Sequence, residues 1–117
     1  MYRLRRVYDF SAADLPAVFA DRLWARGVKK ERLADVPWVK TLAPSDALRR
    51  WFHADKSARH AEFCARYRAE LSAPELQPAL HDLRTRATQA GSLTLLTAAK
   101  IIEQSHLPVL RAVLEEG

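Results

Sequence analysis

The sequence predicts one small α/β domain, a sandwich in which a short, mostly parallel central sheet is flanked by helices. Three observations lead there. Of the 117 residues, 49% are hydrophobic, enough for a single core and too few for two. The segments AVFADRL (17–23) and SLTLLTAA (92–99) are apolar on both parities, as in strands covered on both faces, which are usually central and parallel. Between them the hydrophobic period becomes helical, and strands alternating with helices build α/β layers. Only three glycines occur, which argues against a hairpin-rich all-β fold.

The elements follow in order. In YRLRRVYDF (2–10), Tyr2, Leu4 and Tyr8 share one parity while Arg3 and Arg5 take the other, the pattern of a half-exposed strand near a sheet edge. SAADLP breaks it, and 17–23 forms the second strand. In segment 35–44 two prolines, Pro37 and Pro44, bracket only a few residues, so it reads as a short helix or irregular chain. Ser45 is placed to cap DALRRWF, whose Ala47, Leu48, Trp51 and Phe52 make one apolar face. Asp55 or Ser57 opens the next helix, with Phe63, Cys64, Tyr67 and Leu71 inward and Glu62–Arg66 and Arg66–Glu70 spaced as i,i+4 pairs outside. Ser72 and Glu75 have capping-box spacing, although Pro78 also suits a first helical turn. Leu76, Leu80 and Leu83 face inward, and Gly91 ends that helix ahead of the third strand, 92–99. A last helix, about 105–115, turns Leu107, Val109, Leu110, Val113 and Leu114 to the core.

Nineteen basic and 14 acidic residues leave a net charge of +5. That permits an anionic partner without demanding one, and most arginines fall in helical patterns that suit a solvated face. Cys64 is the one cysteine, so no internal disulfide forms. MYRLRR is charged with no apolar segment behind it, unlike a signal peptide, and no apolar run approaches a membrane span of about 20 residues. A cytoplasmic protein without a membrane partner is expected. Its oligomeric state is left open.

In open α/β sheets, ligands sit beyond the carboxyl ends of the strands. The second strand delivers Asp21, Arg22, Trp24, Arg26 and Gly27; the third delivers Thr97, Ala98, Ala99, Lys100 and, a little later, Glu103. If the two strands are parallel neighbours, two arginines and a lysine converge beside two carboxylates. Arginine is the natural fork for carboxylate or phosphate. The expected ligand site is therefore Asp21, Arg22, Trp24, Arg26, Lys100 and Glu103, taking a small carboxylate or phosphorylated molecule. The alternative is structural: Asp21 and Arg22 pair with Lys100 and Glu103, tie the strand ends together, and leave a non-catalytic module for a protein partner or nucleic acid.

Other chemistry finds less support. There is no P-loop, no G-x-G-x-x-G and no G-x-S-x-G elbow, so no cofactor and no catalytic residue is assigned. His60 and Cys64 stand four apart, but a structural zinc wants four ligands and no second pair is suitably spaced; no metal is expected. Cys64 reads as a buried, inert thiol. For nucleic acid, Arg3, Arg5 and Arg6 lie near Tyr2 and Tyr8, and Arg22, Arg26, Lys29 and Lys30 follow, without any recognised binding motif.

The strings RVYD, DRLW-RG, LAPS--LR-WF-H-D, F--RYRAEL and TLL-AAK--E stand here in the order they have in the YeaO-like proteins. The chain resembles that family, small bacterial proteins of unknown function (domain of unknown function family 488), over nearly its whole length. The resemblance implies a single cytoplasmic α/β domain, 1–117, and no established reaction. It also marks departures. The family typically has proline where Ala25 stands and tryptophan near His60. Its C-terminal motif is roughly Y-A-A-K-D-x-E-H-N; here Lys100 and Glu103 remain, while Thr97, Ile101, Gln104 and Ser105 replace the tyrosine, aspartate, histidine and asparagine. Any family role of that histidine is lost at Gln104. His106, two residues on, would point about 200° away on a helix and is a poor substitute.

Overall fold

The computed structural model describes residues 1–117. Three strands, β1 (Tyr2–Arg6), β2 (Ala17–Phe19) and β3 (Leu93–Thr97), form one parallel sheet in the order β1-β3-β2. Tyr2 pairs with Leu93 and Arg6 with Thr97, while Ala17 pairs with Thr94 and Phe19 with Leu96. All three strands therefore end at the same edge of the sheet. The four α-helices are α1 (Asp46–Ala54), α2 (Lys56–Leu71), α3 (Gln77–Ala90) and α4 (Leu107–Glu116).

The period-two alternation divides the strands between two cores. Tyr2, Val18, Ala20, Leu93 and Leu95 face a cluster of 17 buried residues that takes in all four helices, among them Phe52, Phe63, Leu83 and Leu110. Ala17, Phe19 and Leu96 face the other way, into a cluster of eight completed by Val7, Ala25, Val28, Leu33 and Val36. No helix covers that second face; short turns and irregular chain between β1 and α1 do. The sheet is thus flanked by helices on one side only, a refinement of the expected sandwich.

Several elements differ from the sequence reading. β2 stops at Phe19 rather than running to Leu23, and it lies at the sheet edge rather than in the centre. Its burial on both faces comes from the irregular layer, including a parallel bridge between Phe19 and Trp38. β1 ends at Arg6, and Val7–Asp9 is a 3-10 turn. Segment 35–44 holds the bridging Trp38 and the 3-10 turn Lys40–Leu42, with no α-helix.

The helix ends follow their capping chemistry. Ser45 Oγ accepts from Leu48 N at 3.2 Å, and Glu70 clamps Ser45 from α2, accepting from its N at 2.9 Å and its Oγ at 2.6 Å. Glu70 is therefore not paired with Arg66, which meets Glu62 and lies 4.2 Å from the Trp51 ring centre. Asp55 caps α2 through Ala58 N at 3.3 Å. α3 begins at Gln77 with Pro78 in its first turn, and Ser72 Oγ bonds Ala69 O instead of capping a helix. Gly91, at φ 86°, closes α3 in the left-handed conformation that favours glycine.

Candidate functional site

Just beyond the carboxyl ends of β2 and β3 lies a cavity of about 460 Å³, a size suited to a small-molecule site. The chain leaving β2 and β3 supplies one wall and the α1–α2 corner the other. Asp21, Arg22, Trp24 and Lys100, all expected at the site from sequence, line it. Arg26 and Glu103 do not. Trp24 Nε1 donates to Val28 O at 2.8 Å, closing a tight loop in which Gly27 takes φ 80°. That loop sends the Arg26 side chain to the surface, where its backbone carbonyl accepts from the Tyr8 hydroxyl at 3.0 Å. Glu103 is exposed on the 3-10 turn Ile102–Gln104.

Asp21 ties the two strand ends together. Its carboxylate accepts from Thr97 Oγ1 at 2.7 Å and from Ala98 N at 2.8 Å. Arg22 donates from Nε to Pro44 O at 2.9 Å and from Nη2 to Ala43 O at 3.0 Å, pinning the chain that leads into α1. Neither residue pairs with Lys100 or Glu103, so the ion-pair version of the structural alternative is not what holds these ends. Trp24 packs edge-on against Phe19 and Trp38, with ring centres 5.5 and 5.2 Å apart. It is half-buried, one side toward the second core and one toward the cavity.

The α1–α2 corner adds four cavity residues that were not expected at the site from sequence. Arg49, Phe52 and His53 come from one face of α1, at i, i+3 and i+4, and Lys56 opens α2 just past the non-helical Asp55. Arg49 Nε is buried without a partner, and the nearest carboxylate to its Nη2 is Asp46 at 3.6 Å. The His53 pKa is lowered, first by burial and then by the positive charges of Lys56 and Arg49. Arg22, Arg49, Lys56 and Lys100 thus put four permanent cations around one cavity. Its one carboxylate, Asp21, is already engaged in hydrogen bonds.

His106 corrects an expectation. The turn Ile102–Gln104 ends at Ser105 in extended geometry, so the helical angle between residues 104 and 106 does not apply. His106 instead precedes α4, is 9% exposed and lines the cavity. Its Nε2 donates to Ala20 O at 2.8 Å and lies 3.6 Å from Asp21 Oδ1. Burial lowers its pKa, opposed by the Asp21 charge and the Ala20 carbonyl. Elsewhere, Cys64 Sγ lies 3.8 Å from His60 Nε2, half-buried with its pKa raised by burial, and no group of three or more His, Cys, Asp or Glu is placed to hold a metal. No helix is long and apolar enough to cross a membrane.

A family model described as the inactive DUF488-N3 subclade matches residues 1–117. The uncharacterised protein YeaO of Escherichia coli K12 is 39% identical over 108 residues, which cover 91% of this chain and 90% of that protein. An uncharacterised protein of Mycobacterium tuberculosis H37Rv is 36% identical over 113 residues, covering 96% of this chain and 92% of its own, and a Mycobacterium bovis protein matches to the same extent. No solved structure gives a significant match. The chain belongs to the DUF488 family of YeaO-like proteins, in the subclade described as inactive.

Proposed function

We propose that this member of the inactive subclade binds a small anionic molecule, a carboxylate or a phosphorylated compound, in the cavity at the strand ends. One observation carries the reading: Arg22, Arg49, Lys56 and Lys100 line a cavity whose single carboxylate is already hydrogen-bonded. Like charges gathered in a partly enclosed space repel one another, and an anion relieves that repulsion. Arg49, short of acceptors, supplies a planar donor face. Lys56 and Lys100, exposed at the rim, add mobile charge. Arg22 contributes what its two bonds to backbone carbonyls leave free. Asp21 shapes the cavity instead of binding the ligand. The description of the subclade as inactive agrees with binding without turnover.

Calorimetric titration with inorganic phosphate tests this. Lys56→Ala/Lys100→Ala should weaken phosphate by at least about tenfold, while Arg26→Ala, outside the cavity, should leave it within about twofold. The opposite order of effects would move the site to the outer surface. A second reading, a non-catalytic module for nucleic acid, is supported by the half-exposed rings of Tyr8 and Trp38, which carry Arg6 and Lys40 at 5.0 and 4.9 Å. Failure to shift a single-stranded oligonucleotide at low salt would dispose of it.

A further inference from the structure

The same cavity has a second chemical character. Leu23 is 58% exposed and Ile101 is 49% exposed, and both stand at its wall. With Met1 they are the three most exposed large hydrophobic side chains of the chain. Leu23 directly follows Arg22 and Ile101 directly follows Lys100, each four residues past the end of its strand, so the chain leaving β2 and β3 presents an aliphatic pair beside its cations. Across from them, Phe52 and Phe63 of the helical corner reach the same space, stacked on each other with ring centres 4.1 Å apart. Trp24 contributes an aromatic edge.

A hydrated inorganic anion uses none of this apolar surface. It leaves Leu23 and Ile101 in water, and it loses hydration on entering a space lined by phenyl rings. A ligand with an apolar body joined to the anionic group removes both costs. Its body covers the two aliphatic side chains while the charge meets Arg49, Lys56 and Lys100. The cavity volume accommodates an aromatic ring with its acidic substituent.

Resting on the anion-binding reading, we infer that the ligand is an amphiphilic organic anion: an aryl or similarly ring-sized apolar group bearing a phosphate or carboxylate. Its acidic end lies against the α1–α2 cations and its ring against Leu23 and Ile101.

The test is a titration series with inorganic phosphate, phenyl phosphate and phenol, run on the wild type and on Leu23→Ser/Ile101→Ser. Both serines replace exposed side chains, so folding is retained. Phenyl phosphate should bind at least about tenfold more tightly than phosphate, with phenol weaker than either. The double variant should lose most of that advantage for phenyl phosphate and leave phosphate within about twofold. Equal affinity for phosphate and phenyl phosphate overturns the inference while leaving the anion site standing. So does an unchanged phenyl phosphate affinity in the double variant. Binding of neither anion removes the site itself, and the inference with it.

Discussion

Replacing Arg22 with alanine removes two hydrogen bonds whose acceptors are the backbone carbonyls of Ala43 and Pro44, both buried. These carbonyls belong to the chain that delivers Ser45, the cap of α1, and the Ser45–Glu70 clamp joins that point to α2. A hydrogen bond from a charged donor contributes about 1.5–3 kcal/mol, and a buried acceptor left alone adds a desolvation cost. The guanidinium itself is half-exposed, so water replaces part of the loss, and the lower end of the range applies to each bond. The expected destabilisation is about 3 kcal/mol. With a urea m value of about 1.5 kcal/mol/M, the midpoint should fall by about 2 M. Arg22→Lys, which keeps the charge but lacks the fork, should recover less than half of this. A midpoint within about 0.3 M of wild type would show that the carbonyls are not held by Arg22, and the account of this strand end would fail.

Asp14 is 3% exposed at its side chain and accepts from Ser11 N at 2.9 Å and Arg5 Nε at 3.0 Å. Asp14→Asn should cost about 1–3 kcal/mol, read as a lower thermal midpoint; no change would contradict a charged pair there. Because burial lowers the His106 pKa, the unfolded chain takes up a proton below its value of 6.5 that the native state resists. Stability should therefore be full above pH 6.5 and decline as the pH falls below it, by at most about 1.4 kcal/mol per pH unit for this group. His53 acts in the same direction. His106→Asn, which retains a donor for Ala20 O, should flatten the decline in urea titrations from about pH 8 to about pH 5; an unchanged slope would exclude His106 as its source. Gly91→Ala places a Cβ where nothing lies within 4 Å, so its cost is conformational alone, about 1–2 kcal/mol, or about 4 °C or more in Tm.

The sheet and the helices were legible because parity and period are written directly in side chains: β3 is buried at every residue and α1 repeats its apolar face. The position of β2 was not. Burial on both faces looks the same whether strands and helices cover it or irregular chain does, and here Val28, Leu33 and Val36 do so from an irregular layer. Half of the site was legible as well, since two parallel strand ends must meet at one edge of a sheet. Arg26 was misplaced because a glycine turn at positive φ redirects the chain in a way that residue order does not show. Arg49 and Lys56 give no signal in the sequence because a cation on a helix reads identically toward water and toward a cavity. His106 is hidden because a helical period misplaces a residue that follows the extended Ser105.

The central claim is that small anions bind between the strand ends and the α1–α2 corner. Amide chemical shifts followed by NMR during a phenyl phosphate titration test it most directly. The account predicts saturable shifts concentrated in three separate stretches, 21–24, 49–56 and 97–106, which meet only at this cavity. Shifts confined to the outer basic surface around Arg3, Arg5, Lys29 and Lys30, or none at saturating ligand, would contradict it.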